Sequence, residues 1–103
     1  MQLQLRCIAG PERHKRWKFD FPPYTTIVIG RIQGCHLVLK DTKISQSHCL
    51  IQVHEGNLCA VDLGSTYGTW LNDSAITGLT KLTSDDHLRI GKSTFIIEIV
   101  AKS

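Results

Sequence analysis

The chain alternates between apolar and polar residues along most of its length, which is the periodicity of half-buried β-strands. In the first alternating segment, Leu3, Leu5 and Cys7 fall on one face. Turn-forming residues such as Gly10-Pro11 separate the segments, and no window carries a helical stripe with a cap and a stop. The predicted strands are residues 2–8, 25–30, 36–39, 48–54, 58–63, 69–72, 87–91 and 94–100.

Short strands at this regular spacing predict an all-β fold, an antiparallel β-sandwich of about 10–11 short strands. In a sandwich the connecting loops gather at the two ends, and binding chemistry is usually found there. A length of 103 residues fits one domain, which we expect to span residues 1–103. The loops at one end of the sandwich are therefore the first place to look for function.

Composition is ordinary for a globular protein, with 42% hydrophobic and 20% charged residues. No apolar run reaches the length of a membrane span, and the first residues alternate in the manner of a strand rather than a signal peptide. The cysteines show no CxxC pair and no zinc-ligand spacing with the histidines, so we expect reduced thiols, no metal and no cofactor. We expect an intracellular protein, nuclear or cytoplasmic and monomeric as an isolated domain. The cysteines are Cys7, Cys35, Cys49 and Cys59.

Charge is unevenly distributed along the chain, whose formal net charge is +3. Residues 1–40 contain seven Lys or Arg against two acidic residues, whereas residues 41–103 contain five against seven. The stretch "RHKRWK" at 13–18 combines basic side chains with an aromatic ring, a pattern that suits nucleic acid. The competing interpretation is a solvated loop between the first two strands, and it leaves nucleic acid as the weaker alternative.

Two of the predicted loops carry side chains suited to an anion. Gly30-Arg31 closes a strand, and glycine permits a backbone turn there while the guanidinium fork matches phosphate or carboxylate. Taken alone, Arg31 is more typical of a plain surface arginine that follows a turn glycine. In "KISQSHCL" at 43–50, Ser45 and Gln46 offer donors, and His48 is positioned to hydrogen-bond back across the loop and fix its shape.

The third loop, "GSTYG" at 64–68, is denser in glycine and hydroxyls than a plain turn requires. Consecutive backbone N–H groups around Gly64, Ser65 and Thr66 are able to form a concave nest for an anion. We predict a positive φ at Gly68, just before the chain enters the next strand at Thr69. Each of the three loops is weak evidence when taken alone, whereas their order along the chain is not.

The order and spacing of the three loops resemble the forkhead-associated (FHA) domain, a phosphothreonine-peptide-binding β-sandwich. The matching elements are Gly30-Arg31, Ser45-x-x-His48, and Gly-Ser-Thr-x-Gly-Thr-x-x-Asn starting at Gly64. The resemblance covers nearly the whole chain and implies a binding module for a phosphothreonine-containing protein or peptide, with no enzymatic activity. It also implies roles for individual residues. The phosphothreonine-binding positions are Arg31, Ser45, Gln46, Ser65 and Thr66, with Thr66 favoured over Ser65; the loop-architecture positions are Gly30, His48, Gly68 and Asn72.

The sequence departs from the family pattern at Tyr67, where the family usually has an asparagine that bonds the backbone of the bound peptide. A phenol cannot reproduce the paired donor and acceptor of an amide, so we expect Tyr67 to stack on a peptide side chain or to make a single hydroxyl contact. Lys43, two residues before Ser45, is the other expected peptide contact, with a mild preference for acidic residues downstream of the phosphate. A smaller departure is Ser84-Asp85-Asp86, where the family usually has glycine and aspartate.

Other functions are less consistent with the residues. "GKST" at 91–94 resembles the end of a P-loop, but Asp86 stands where the first glycine belongs, and a strand pattern follows instead of a helix. A sandwich that binds partners independently of phosphate remains an alternative because of Tyr67.

Overall fold

Eleven strands form two sheets in the computed structural model, which describes residues 1–101. The six-stranded sheet has the order β2-β1-β11-β10-β7-β8, and the five-stranded sheet has the order β4-β3-β5-β6-β9. The strands are β1 Gln2–Ala9, β2 Arg16–Asp20, β3 Thr26–Gly30, β4 Leu37–Val38, β5 Cys49–His54, β6 Asn57–Asp62, β7 Thr69–Leu71, β8 Ser74–Ala75, β9 Thr80–Lys81, β10 His87–Ile90 and β11 Ser93–Val100. The last two positions of the predicted domain, 102 and 103, lie outside the described residues.

The predicted β-sandwich is confirmed, and the two sheets enclose one apolar core. Alternation buries Leu3, Leu5 and Cys7 of β1 as predicted, and Phe95 and Ile97 of β11 face the same interior. Burying apolar area of this kind is the main term that stabilises a small domain. Strand β11 also confirms that the segment after "GKST" is a strand. Pairing is antiparallel except between β3 and β4, which run parallel over two residue pairs.

The interpretation of residues 13–18 as a loop is wrong for its second half. Residues 16–18 begin strand β2, which pairs antiparallel with β1. Trp17 and Phe19 pack against the core on the inner face of β2, while Arg16 and Lys18 are exposed on the other face. The period-two alternation was present here, but the basic residues obscured it. Strands β8 and β9 have two residues each, too few to show a period.

The three candidate loops lie between β3 and β4, between β4 and β5, and between β6 and β7. Each loop is flanked by a strand on either side, so the sandwich holds both ends of each loop in place. Among residues 1–101, no helix is long and apolar enough to cross a membrane.

Candidate functional site

Arg31 is held on its loop by hydrogen bonds from both its backbone and its side chain. Its amide donates to the carbonyls of Ser45 and Gln46, both at 3.1 Å. Its Nε donates to the carbonyl of Ile44 at 3.0 Å. Within residues 1–101 the two terminal guanidinium nitrogens form no recorded hydrogen bond or ion pair, and the side chain is exposed. The guanidinium is therefore positioned by the protein and has two donor groups left for a ligand.

Gly30 is required by close approach rather than by backbone torsion. The expectation that it permits an unusual turn is wrong, because its φ is not in the left-handed region. A Cβ at Gly30 would lie 2.2 Å from the carbonyl oxygen of Gln46 and 2.9 Å from Sγ of Cys35. Only glycine lets the second loop lie this close to β3, which is what brings the Gln46 carbonyl to the Arg31 amide.

His48 joins the second loop to the third. Its ring is fully buried; Nδ1 accepts the Ser45 amide at 3.1 Å and Nε2 lies 2.8 Å from the carbonyl oxygen of Gly68. Because Nδ1 accepts, the proton is on Nε2, which donates to Gly68. Gly68 has the predicted positive φ, at 83°. The imidazole thus acts as a neutral bridge between two loops and is not available to a ligand.

Asp62 organises the third loop, and sequence reasoning missed it. One carboxylate oxygen accepts the amides of Gly64 (3.0 Å) and Ser65 (2.9 Å). The other accepts the hydroxyls of Ser65 (2.6 Å) and Thr69 (2.7 Å). The predicted nest of N–H groups therefore exists, but the protein's own carboxylate fills it, so the expectation that it receives an external anion is wrong. An aspartate two residues before a glycine turn is a typical side-chain acceptor for such amides.

Ser65 and Thr66 have different surroundings although they are neighbours. The Ser65 hydroxyl donates to Asp62 and also accepts the Gly68 amide at 2.9 Å. Thr66 donates its amide to the Ser45 hydroxyl at 3.1 Å, and its own hydroxyl is exposed with no recorded partner in residues 1–101. The structure thus brings Ser45 and Thr66 together, next to the backbone carbonyls that bond the Arg31 amide. The Ser65 hydroxyl, by contrast, is used in hydrogen bonds within its own loop. Gln46 contributes its carbonyl to the loop while its side chain is exposed.

Lys43 and Tyr67, the two expected peptide-contacting residues, meet each other at the rim of the site. The Lys43 ammonium lies 4.5 Å from the centre of the Tyr67 ring, within range of a cation–π interaction. Tyr67 is 53% exposed, and its carbonyl accepts the indole N–H of Trp70 at 3.1 Å. The amide of Lys43 donates to the carboxylate of Asp41 at 2.9 Å. The ring at position 67 therefore has a partner from the second loop before any ligand arrives.

Asn72 is not brought to the phosphate loops. It lies in the β7–β8 turn, at the end of β7 away from the third loop, with φ 50°. Its side chain accepts the His87 amide and donates to Asp86, each at 2.9 Å. Asp85 has φ 73°, so an aspartate occupies the conformation that a glycine favours at this departure from the family pattern.

Asp62 makes the stability of the third loop depend on pH. Burial raises its pKa, but the hydrogen bonds from Ser65 and Thr69 outweigh that effect and lower the pKa below the ordinary value of 3.8. A lowered folded-state pKa adds stability that is present above the unfolded pKa and is lost as pH falls through the folded value. We expect Asp62→Asn to destabilise the domain at neutral pH and to have a progressively smaller effect as the pH falls below 3.8, measured by urea unfolding at neutral and acidic pH. Asp73→Asn, at an exposed turn, is the control; an equal loss at both pH values for Asp62→Asn would contradict the assignment.

Comparison with known proteins identifies the family of this fold and loop set. The family model described as the FHA domain matches residues 27–91. The chain belongs to the FHA domain family. It is 36% identical over 98 residues to an FHA domain-containing protein of Arabidopsis thaliana, covering 92% of this chain and 25% of that protein. It is 31% identical over 83 residues to the oxoglutarate dehydrogenase inhibitor of Corynebacterium glutamicum, covering 81% of this chain and 55% of that protein.

Solved FHA domains share the fold closely. The solution structure of the FHA domain of an Arabidopsis thaliana hypothetical protein superposes with a TM-score of 0.90 at 30% identity, over 99% of this chain and 88% of that one. A domain from a study of phosphothreonine-dependent FHA interactions superposes with a TM-score of 0.84 at 24% identity, over 99% of this chain and 100% of that one. FHA domains are interaction modules, and this chain spans about a quarter to just over half the length of the two curated relatives named above.

Proposed function

We propose that this FHA domain binds phosphothreonine in a partner protein through its three adjacent loops. The observation that carries the proposal is the Arg31 guanidinium: Nε is anchored to the Ile44 carbonyl, and within residues 1–101 its terminal nitrogens have no partner, while the Arg31 amide bonds the Ser45 carbonyl. A phosphothreonine carries about −1.5 to −2 charges near neutral pH and three acceptor oxygens, which match such donors. Among the FHA-fold structures similar to this chain, EmbR of Mycobacterium tuberculosis was solved with a phosphopeptide, which supports the proposal by analogy.

We assign the phosphate contacts to Arg31, Ser45 and Thr66. The Ser45 hydroxyl already accepts the Thr66 amide, so its proton remains available to a phosphate oxygen. The Thr66 hydroxyl is exposed beside it. Ser65, named in the resemblance, is a weaker candidate because its hydroxyl already donates to Asp62 and accepts from Gly68. The exposed side chain of Gln46 is suited to contact the peptide near the phosphate.

Lys43 and Tyr67 are proposed to set the preference for peptide residues downstream of the phosphate. The Tyr67 ring holds the Lys43 ammonium at the rim, where it is suited to attract an acidic peptide residue. Because the ring faces Lys43, the role we infer for Tyr67 is to orient that ammonium rather than to replace the family's asparagine. A phosphothreonine peptide library would test this idea, since it should show acidic enrichment with the parent domain and a weaker enrichment with Tyr67→Leu.

We further propose that the described residues act as one non-enzymatic, monomeric module in the nucleus or cytoplasm. The single core shared by both sheets supports a single unit. The four cysteines are free within the described residues, as is typical of a reducing compartment. The partner of this domain is then a phosphoprotein whose phosphothreonine and neighbouring residues fit the site.

The decisive experiment is a titration of the domain with a phosphothreonine peptide taken from the library, its unphosphorylated twin and its phosphoserine twin. We expect binding of the phosphothreonine form, at least about tenfold weaker binding of the unphosphorylated form, and chemical-shift changes at the Arg31, Ser45 and Thr66 amides in NMR spectra. Equal binding of the phosphorylated and unphosphorylated peptides would favour the phosphate-independent alternative and overturn the proposal.

A further inference from the structure

The outer face of the β1–β2 hairpin carries cations that oppose one another directly. Arg6 of β1 pairs with Arg16 of β2 in the antiparallel register, so both side chains project from the same face, and both are exposed. Lys18 lies two residues further along β2 on that face and is also exposed. Like charges placed directly opposite each other on a sheet are destabilising. This arrangement therefore lowers the stability of the free domain.

The three cations have no direct neutralising partner within the described residues. Among residues 1–101, neither Arg6, Arg16 nor Lys18 forms an ion pair or a side-chain hydrogen bond. The nearby carboxylate of Glu12, in the β1–β2 turn, is already paired with Lys15. A depression on this face is lined by all three cations and also by two carboxylates, those of Asp85 and Glu98. The β2 side of this surface is thus ready for an anionic ligand.

The aromatic residue that made this segment resemble a nucleic-acid site faces the other way. Trp17 is half-buried, and its ring packs edge-to-face on Phe95 with centroids 5.7 Å apart. Base stacking on single strands needs an exposed ring face. Trp17 borders the cationic depression, but its ring is engaged with Phe95 and packs against the core. The surface therefore provides charge without a stacking platform.

Strand β2 also presents a free backbone edge. It is the last strand of its sheet and adjoins β1. At the two ends of this pairing, the Lys15 carbonyl accepts the Cys7 amide and the Phe21 amide donates to the Met1 carbonyl. In an antiparallel ladder, alternate residues bond the same neighbour. The amides and carbonyls of Arg16 and Lys18 therefore point away from β1, toward the open edge. Charged residues commonly protect such edges from self-association. Basic residues do so by repelling other basic strands, and they do not repel an acidic strand.

We propose that an acidic, extended polypeptide segment binds the domain by adding a strand to the open edge of β2. The main chain of the segment hydrogen-bonds to Arg16 and Lys18, and its carboxylates at alternate positions face the Arg16 and Lys18 side chains, with Arg6 behind them. The free backbone edge favours a polypeptide over nucleic acid, since a phosphodiester chain has no amides to complete the ladder. This site is separate from the phosphate loops and does not depend on their proposed function.

The test is an NMR titration of the domain with a short unphosphorylated peptide of alternating Glu and Thr. We expect shifts along residues 16–20 and slowed hydrogen exchange at the Arg16 and Lys18 amides. Three further ligands test the backbone pairing, the charge and the class of ligand in turn: the same peptide with alternate backbone amides N-methylated, a peptide of alternating Lys and Thr, and a DNA duplex. Only the unmodified acidic peptide should slow exchange at the edge.

Matched variants separate this site from the overall charge. Arg16→Gln with Lys18→Gln should weaken the acidic peptide about tenfold or more, whereas Lys81→Gln with Lys92→Gln, which removes the same charge elsewhere, should leave its affinity within about twofold. Thermal unfolding of both doubles verifies that they fold. Equal binding by the N-methylated peptide, equal losses in the two doubles, no shift at 16–20, or tighter binding of the duplex at these residues would each overturn the proposal.

Discussion

Replacing Arg31 with alanine is expected to lower the affinity for a phosphothreonine peptide about a hundredfold. Hydrogen bonds to charged groups contribute about 1.5–3 kcal/mol each, and the two unpaired terminal nitrogens allow two of them, about 3 kcal/mol at the lower limit. Each 1.4 kcal/mol corresponds to about a tenfold change in affinity. Arg31 is exposed, and its side chain makes one recorded bond to the protein, so the loss should appear in binding and scarcely in folding. Isothermal titration with the phosphopeptide measures the loss of affinity, and thermal unfolding measures any loss of stability.

A conservative substitution sharpens this result. Arg31→Lys keeps the charge but cannot both bond the Ile44 carbonyl through Nε and present a planar pair of donors, so its affinity should fall between those of the parent and Arg31→Ala. Arg13→Ala removes an exposed arginine in the β1–β2 turn and serves as the control for net charge. Unchanged phosphopeptide affinity in Arg31→Ala would show that the phosphate binds elsewhere.

Replacing His48 with alanine is expected to destabilise the domain by about 3 kcal/mol and to weaken phosphopeptide binding as well. The truncation leaves the Ser45 amide and the Gly68 carbonyl without their partner in a buried position. Each buried unsatisfied group costs about 1–3 kcal/mol, and the lost ring volume adds a cavity. Since the loops that carry Ser45 and Thr66 would then be joined here by the Thr66 amide–Ser45 hydroxyl bond without the imidazole beside it, the separation of the phosphate donors should be less well fixed. Urea unfolding measures the loss of stability. A phosphopeptide titration, under conditions where the variant is folded, measures the loss of affinity.

His54→Ala is the matched control for this variant. His54 is exposed at the end of β5, where a substitution should change stability by no more than about 0.5 kcal/mol. A stability loss for His48→Ala no larger than that of His54→Ala would mean that the imidazole bridge does not hold the loops together.

The parts of this fold that the sequence predicted well are those where one local rule applied. Burial of alternate residues in β1 and β11 follows directly from the pleat of a strand, and the positive φ of Gly68 follows from the freedom of glycine. The basic side chains of β2 hid the same alternation, because Arg16 and Lys18 stand on its solvent face between the apolar residues Trp17 and Phe19. A search for period two that disregards charge on the outer face would have found this strand.

The parts that were missed depend on contacts between distant segments. The need for Gly30 is set by the carbonyl of Gln46, sixteen positions later, which no local pattern reports. Asp62 was overlooked because its partners were assigned to an external anion, although a carboxylate just before a glycine-rich turn competes for the same amides. The meeting of Lys43 with Tyr67 likewise arises only when the second and third loops lie side by side.

Because Asp62 supplies a negative charge inside the third loop, that loop is already folded when no ligand is present. A receptor whose walls are assembled in advance loses little conformational entropy when its ligand arrives, so most of the interaction free energy appears as affinity. It also follows that binding requires no refolding of the third loop. With that loop in place beforehand, the timing of the interaction is set by the kinase and the phosphatase that modify the partner.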